Sequence, residues 1–173
     1  NGQEIKNEPI HDLWAKMKQQ DRVSNSKFFK LLLSEIELAE GLEKISFLGG
    51  EPLLNNQLDQ IVERLEGKKI TITSGLGVSI NRLETVMKKI KGKKITFCIS
   101  AESTGDFFEF IRYGVSWNDF KERIKIIDDH GHRIKFTSTM SNLSAHDFHR
   151  FLEQFGDRQI EISGISGRSF LMP

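Results

Sequence analysis

Ile45-Ser46-Phe47-Leu48-Gly49-Gly50-Glu51-Pro52-Leu53-Leu54 is the stretch that decides the fold. Ile45 to Leu48, four apolar or β-favouring residues, read as a short strand. Gly49 and Gly50 then let the backbone approach a ligand with no side chain between, and Pro52 opens a helix behind Glu51. A strand that hands over to a helix in this way marks the place where open parallel sheets and α/β barrels hold their ligands. The plainer alternative is a strand-to-helix connection with proline in the first helical turn.

Outward from that stretch a strand-then-helix unit recurs at intervals of roughly 25 to 35 residues, the length of a βαβ crossover, so the strands pair in parallel. The strands read as Lys44 to Leu48, Lys69 to Thr73, Lys94 to Ile99, Arg133 to Ser138 and Gln159 to Ser163. Between them, apolar residues fall at helical spacing, each set making one stripe for packing on a sheet. These are Phe29, Leu32, Leu33, Ile36; Leu58, Ile61, Val62, Leu65; Leu83, Val86, Met87, Ile90; Trp117, Phe120, Ile124, Ile127; and Phe148, Phe151, Leu152, Phe155. Asn81 with Glu84, Ser116 with Asp119, and Ser144 with Asp147 each set a capping residue three before an acid, and Gly131 and Gly156 supply stops. Residues 1–26 differ: Pro9 precedes Ile10 to Trp14, and a polar stretch follows, read as a short helix and a linker ahead of a domain over 27–173. The fold class is therefore α/β, with a mostly parallel sheet.

The 173 residues suit one domain of common size, and 38% hydrophobic residues supply a core. With 25 basic against 24 acidic residues there is no field of one sign to attract nucleic acid or an anionic membrane. No window approaches the ~20 apolar residues of a membrane helix, and no secretion-signal pattern opens the chain, so the cytoplasm is the expected compartment. Cys98 is the only cysteine, which excludes a disulfide framework or a multi-thiolate metal site inside this chain. A start at Asn1 rather than Met reads as part of a longer protein.

In a parallel α/β arrangement the residues just after the strands converge on one rim. Here they are Gly49, Gly50, Glu51; Thr73, Ser74, Gly75; Ser100, Ala101, Glu102; Thr137, Ser138, Thr139; and Ser163, Gly164. Hydroxyls, carboxylates and glycines in a ring suit a polar ligand with amine and ribose groups. No G-x-G-x-x-G marks a dinucleotide fold.

From about Lys44 to Gln159 the chain resembles the radical S-adenosylmethionine (SAM) superfamily. Gly49-Gly50-Glu51-Pro52 resembles its Gly-Gly-Glu motif, Thr73-Ser74-Gly75 its Thr-Asn-Gly, and Ile99-Ser100-Ala101-Glu102 its Ser-x-Asp. Phe107 to Gly114 with Trp117, and the Thr/Ser-rich turn from Thr137 to Asn142, are similar to the twitch-domain subgroup. The resemblance implies a partial (β/α)6 TIM-like barrel whose mouth holds SAM and a [4Fe-4S] cluster. It implies reductive cleavage of SAM to a 5′-deoxyadenosyl radical that takes hydrogen from a substrate, a peptide among the candidates, with flavodoxin or ferredoxin as electron donor.

Carried over by residue, Gly49, Gly50 and Glu51 would accept from the SAM ammonium, a charge-assisted contact. Ser100 and Glu102 would bind ribose hydroxyls, Arg112 would pair with the SAM carboxylate, and Thr73, Ser74 and Thr139 would assist. Against these stand plainer readings. Arg112 can pair with Glu109 at i+3 spacing, Glu102 is one methylene longer than the usual Asp, and Ser74 lacks the amide of Asn.

The C-x3-C-x2-C cluster motif is absent, and Cys98, on the strand face shared by Thr96 and Ser100, reads as a buried structural thiol. The cluster ligands would then lie outside this chain, or the chain is a degenerate member that binds a peptide or partner protein without catalysis. A domain for another nucleotide is a third reading. His130 and His132 flank a glycine turn, and His146 and His149 lie beside an apolar stripe; neither spacing matches a metal motif, and all four read as surface residues. Lysines at Lys68, Lys88 and Lys93 read as partners of helix C-termini.

Overall fold

A computed structural model of the chain describes residues 33–36 and 38–164. Two compact units divide it, Asn1–Gly41 and Leu42–Pro173. In the first, residues 33–36 are helical. The expected helix and linker over 1–26, the boundary after residue 26, and Phe29 and Leu32 lie outside the described residues.

The second unit alternates strands and helices: β1 Lys44–Phe47, a 3-10 turn Pro52–Leu54, α1 Leu58–Arg64, β2 Lys69–Ser74, α2 Ile80–Lys89, β3 Ile95–Ser100, α3 Gly105–Ile111, α4 Trp117–Asp129, β4 Arg133–Met140, α5 Asn142–Ala145, α6 Phe148–Phe155 and β5 Gln159–Gly164. The five strands stand in chain order and every neighbouring pair is parallel. Sequential order has a physical consequence. Right-handed crossovers that always step the same way put every helix on one face of the sheet, as in a barrel, whereas a doubly wound nucleotide fold must reverse direction midway. The α/β fold with a mostly parallel sheet is what the strand spacing called for, and its barrel-like winding is what the family resemblance implied.

Alternation sorts the two faces. Ile70 and Ile72 on β2, Ile95, Phe97 and Ile99 on β3, and Ile134 and Phe136 on β4 are buried toward the helices. Leu58, Ile61, Val62 and Leu65 meet them, as do Leu83, Val86, Met87 and Ile90, and Trp117, Phe120, Ile124 and Ile127. Aromatic rings fill the space under β4 and the last helices, with Phe108 and Phe120 centroids 4.5 Å apart, Phe136 and Phe155 at 4.8 Å, and Phe136 and Phe151 at 5.1 Å. Leu152 departs from its expected stripe and is exposed, because the arc that faces the sheet is narrow and takes only Phe148, Phe151 and Phe155. The other face carries Ser46, Thr71, Thr73, Thr96, Cys98, Ser100, Lys135, Thr137, Thr139 and Glu161, polar positions that share register across the strands.

Helix starts differ in two places from the sequence signals. Ser79, not Asn81, caps α2 and accepts from the Arg82 amide. Ser144 is the third residue of α5 and completes a capping box with Ser141, while Asp147, the residue before α6, makes no side-chain cap bond to it. In each case a hydroxyl nearer to the strand end reaches the free N–H first. The Ser116 cap of α4 is as expected, its Oγ accepting from the Asp119 amide at 3.1 Å. Ser116→Ala should lower unfolding free energy by about 1 kcal/mol, measured by urea denaturation; an unchanged midpoint would mean that solvent satisfies this amide equally well. Gly131 follows α4 in the left-handed region at φ 74°, a helix-ending position that glycine adopts without strain.

His132 corrects its surface reading. It is buried against the Phe97 ring with centroids 5.5 Å apart, and neither ring nitrogen has a hydrogen-bond partner among the described residues. Burial, and secondarily the charge of His130, hold its pKa below the ordinary value. The folded state therefore prefers the neutral ring, and the unfolded chain takes the proton first as pH falls. Stability is full above the unfolded pKa of about 6.5 and declines below it. Denaturation midpoints at neutral and mildly acidic pH should diverge in the native chain and converge in His132→Phe; a divergence untouched by that substitution would assign the effect to another group.

Candidate functional site

The first strand end builds the floor of a cleft. Gly49 and Gly50 have φ of 82° and 52°, conformations that a side chain would strain, so the chain turns tightly and leaves backbone facing open space. Glu51 follows as the cap of the 3-10 turn. Its Oε1 accepts from the Leu53 amide at 3.2 Å, the Ser74 hydroxyl lies 2.7 and 2.8 Å from its two oxygens, and Oε2 accepts from the Gly77 amide at 3.3 Å. A hydroxyl has one proton, so these contacts amount to three donors. An ionised carboxylate offers about four lone-pair sites, which leaves one acceptor position open to the cleft.

The second strand end holds this carboxylate in place. Ser74 is buried, and its Oγ also accepts from the Leu76 amide at 2.8 Å. Leu76 is a fully buried leucine in the left-handed region, φ 58°, a conformation that costs on the order of 1 kcal/mol and persists because its surroundings hold it. The strained turn presents the Gly77 amide to Glu51. Arg82 steadies the other side, its Nε donating to the Leu53 carbonyl at 2.8 Å and Nη2 to the Asn55 carbonyl at 2.9 Å, so the open end of the 3-10 turn is satisfied.

Arg112, at the end of α3, lines the same cleft as Glu51. Its Nη2 donates to Glu102 Oε2 at 2.6 Å, and Glu102 is buried. The Arg112 Nε is buried without a partner among the described residues. The alternative Arg112 to Glu109 pair does not form: the Glu109 carboxylate accepts instead from the Trp117 amide at 2.8 Å.

These groups line one cleft of about 410 Å³, with Gly49, Gly50, Glu51, Thr73, Ser74, Ser100 and Arg112 among its walls. Two expected residues stand elsewhere. Glu102 supports Arg112 from behind, and Thr139, exposed on β4, accepts from the Ser144 hydroxyl through its carbonyl at 3.1 Å. The cleft also uses Gly75, which the sequence reading set on the rim, and Gly77, Ile111, Tyr113 and Val115, which it passed over. The alternating glycines of Gly75-Leu76-Gly77 were the visible signal for Gly77; Tyr113, 96% exposed at the rim, had none.

Cys98 shares a face with Thr96 and Ser100 as alternation required, but it is half-buried on the polar face rather than enclosed in the core. Burial, and next the Glu161 carboxylate, push its thiol pKa up, which keeps it protonated and a poor metal ligand at neutral pH. Among the described residues no three His, Cys, Asp or Glu side chains gather as a metal site. No helix of the described residues is long and apolar enough to cross a membrane.

A singly wound parallel sheet with a glycine-floored, carboxylate- and guanidinium-lined cleft at the C-terminal strand ends defines a partial α/β barrel. The Radical SAM superfamily matches it over residues 19–155, and the chain belongs to that superfamily. Among solved structures it is similar to Streptococcus suis SuiB bound to S-adenosylmethionine, with 17% identity, a TM-score of 0.57, and coverage of 74% of this chain and 31% of that one. It is also similar to native anSMEcpe with bound AdoMet and Cp18Cys peptide, at 11% identity, a TM-score of 0.64, and coverage of 82% and 46%. SuiB bound to its precursor peptide SuiA gives 18% identity and a TM-score of 0.53 over 71% and 29%. The chain thus spans less than half the length of these proteins, and at such identity the likeness concerns the fold. No curated protein matches the chain.

Proposed function

We propose that the cleft binds the amino-acid end of S-adenosylmethionine. The observation that carries this is the presence of opposite charges on the walls of one small cleft: Glu51, with one acceptor site free, and Arg112, whose side chain is 28% exposed. A zwitterionic amino-acid group fits between them. Its ammonium donates to Glu51 and to the carbonyls of Gly49 and Gly50, and its carboxylate meets Arg112. Ser100 and Thr73 are placed for ribose hydroxyls, Ser74 fixes Glu51, and Glu102 acts as a positioning residue for Arg112. Thr139 would reach a ligand only by extension along the polar sheet face. Calorimetric titration tests the reading: SAM should bind with one site per chain, and Arg112→Ala should weaken it about tenfold. Equal affinity for an unrelated nucleotide, with none for SAM, would overturn it in favour of a different nucleotide domain.

The whole protein is read as a radical SAM enzyme, cytoplasmic, in which cysteines outside this chain would hold a [4Fe-4S] cluster that would supply the electron for reductive cleavage of SAM. The residues of this chain do not fit the cluster, since its one cysteine stands alone on β3. They bind and orient the sulfonium substrate, and the polar inner sheet face receives the molecule that gives up hydrogen. A peptide is the favoured substrate, because a likeness in fold extends to a protein solved with its precursor peptide. Flavodoxin or ferredoxin is the expected reductant, and neither nucleic acid nor a membrane is invoked. Release of 5′-deoxyadenosine by anaerobically reconstituted full-length protein tests this. No release and no bound iron would leave the second reading, a peptide- or protein-binding module without catalysis, which the lone cysteine favours.

A further inference from the structure

At the other end of the sheet two turns repeat one another. Gly67-Lys68-Lys69-Ile70-Thr71 and Gly92-Lys93-Lys94-Ile95-Thr96 carry the same five residue types. Both glycines are left-handed, φ 70° and 82°, and both turns feed neighbouring strands paired Ile70 to Ile95 and Thr71 to Thr96. The same turn used twice in register brings Lys69 alongside Lys94 at about the 4.8 Å spacing of adjacent strands. β1 extends the row, because Lys44 is directly opposite Lys69.

Leu65 to Ile70 and Lys91 to Lys94 line a groove of about 560 Å³. Its charged residues are five lysines and Glu66, a net +4, whereas the whole chain carries +1; the remaining residues therefore sum to −3. Lys93 Nζ donates to the Glu63 carbonyl at 3.2 Å, while the side chains of Lys68, Lys69, Lys91 and Lys94 have no hydrogen bond or ion pair among the described residues. Like charges opposite one another on a sheet are destabilising. The helix dipole accounts for a cation at each helix end, but Lys44, Lys69 and Lys94 lie at strand starts, where no dipole calls for them.

We propose that this groove docks an acidic polypeptide segment, a run of Asp and Glu side chains presented by a partner protein. Ammonium groups on flexible stems act as point charges and suit flexible carboxylates. Nucleic acid is disfavoured: the groove has no arginine fork for phosphate and no aromatic ring for stacking a base. It lies at the N-terminal strand ends, about 20 Å of strand from the cleft, so its occupant and a ligand in the cleft bind together. The proposal does not depend on what the cleft holds.

The test is fluorescence anisotropy with labelled decaglutamate at low ionic strength, using the full chain. Saturable binding that weakens steeply with salt is expected. Lys69→Glu with Lys94→Glu should lower affinity about tenfold or more, and Lys121→Glu with Lys125→Glu, the same charge change on α4 outside the groove, should alter it less than about twofold. Lys68→Gln with Lys91→Gln, in the turns and outside the sheet, repeats the measurement if the first pair impairs folding. The proposal is overturned by absence of saturation, by equal weakening in the α4 control pair, or by tighter binding of a DNA duplex of matched charge.

Discussion

Replacing Asp147 with alanine is expected to lower the unfolding free energy by about 3 kcal/mol, the scale of removing one partner from a buried charge-assisted network. Asp147 is 1% exposed, and its Oδ2 accepts from the Thr104 amide at 2.6 Å and the Thr104 hydroxyl at 2.8 Å. Without it both donors are left in a dry interior, since Ala101 to Thr104 are all buried. The damage reaches the site by a short path. The same buried loop carries Glu102, whose carboxylate fixes Arg112, so a loosened loop should also weaken whatever Arg112 holds. Asp147→Asn keeps an acceptor for the Thr104 amide and should cost about 1 kcal/mol. Urea midpoints of the two variants decide the matter: a loss below about 1 kcal/mol for Asp147→Ala would show that packing alone holds the loop.

Asp147 also marks the limit of sequence reasoning. Its spacing after Ser144 reads as a helix cap, a local role, whereas its shortest hydrogen bonds come from Thr104, 43 residues away. The strands were legible because each is a short β-rich run closed by glycine or hydroxyl residues, and the apolar stripes of α1, α2 and α4 were legible because one face of each is wholly buried. Of the expected rim residues, those closing β1 and β2 and Ser100 line one cleft, whereas Glu102 and Thr139 stand elsewhere. Side-chain partners were not. Glu102 and Arg112 both read as ligand-binding groups, and only the folded chain shows that they bind each other. Ser74 reads as a weakened substitute for asparagine, yet its hydroxyl both supports Glu51 and anchors the strained Leu76 turn. The paired lysine turns read as two separate helix ends until register sets them side by side.

Glu51→Gln should reduce SAM affinity about 100-fold while lowering stability by about 1 kcal/mol. Glutamine keeps the length and one carbonyl, so the Ser74 hydroxyl and the Leu53 amide retain an acceptor. The amide nitrogen then takes the place of Oε2, facing the Gly77 N–H with donors of its own. The open acceptor position is lost together with the negative charge, and a ligand ammonium meets a second donor where it needs a counterion. Ser74→Ala separates the two effects, because it leaves the charge but frees Glu51 to rotate away from the cleft; a loss of about tenfold is expected there. Titration of SAM into the three proteins distinguishes the cases. If Glu51→Gln binds SAM as the native chain does, the carboxylate is only a cap for the Pro52–Leu54 turn, and the ammonium site lies elsewhere.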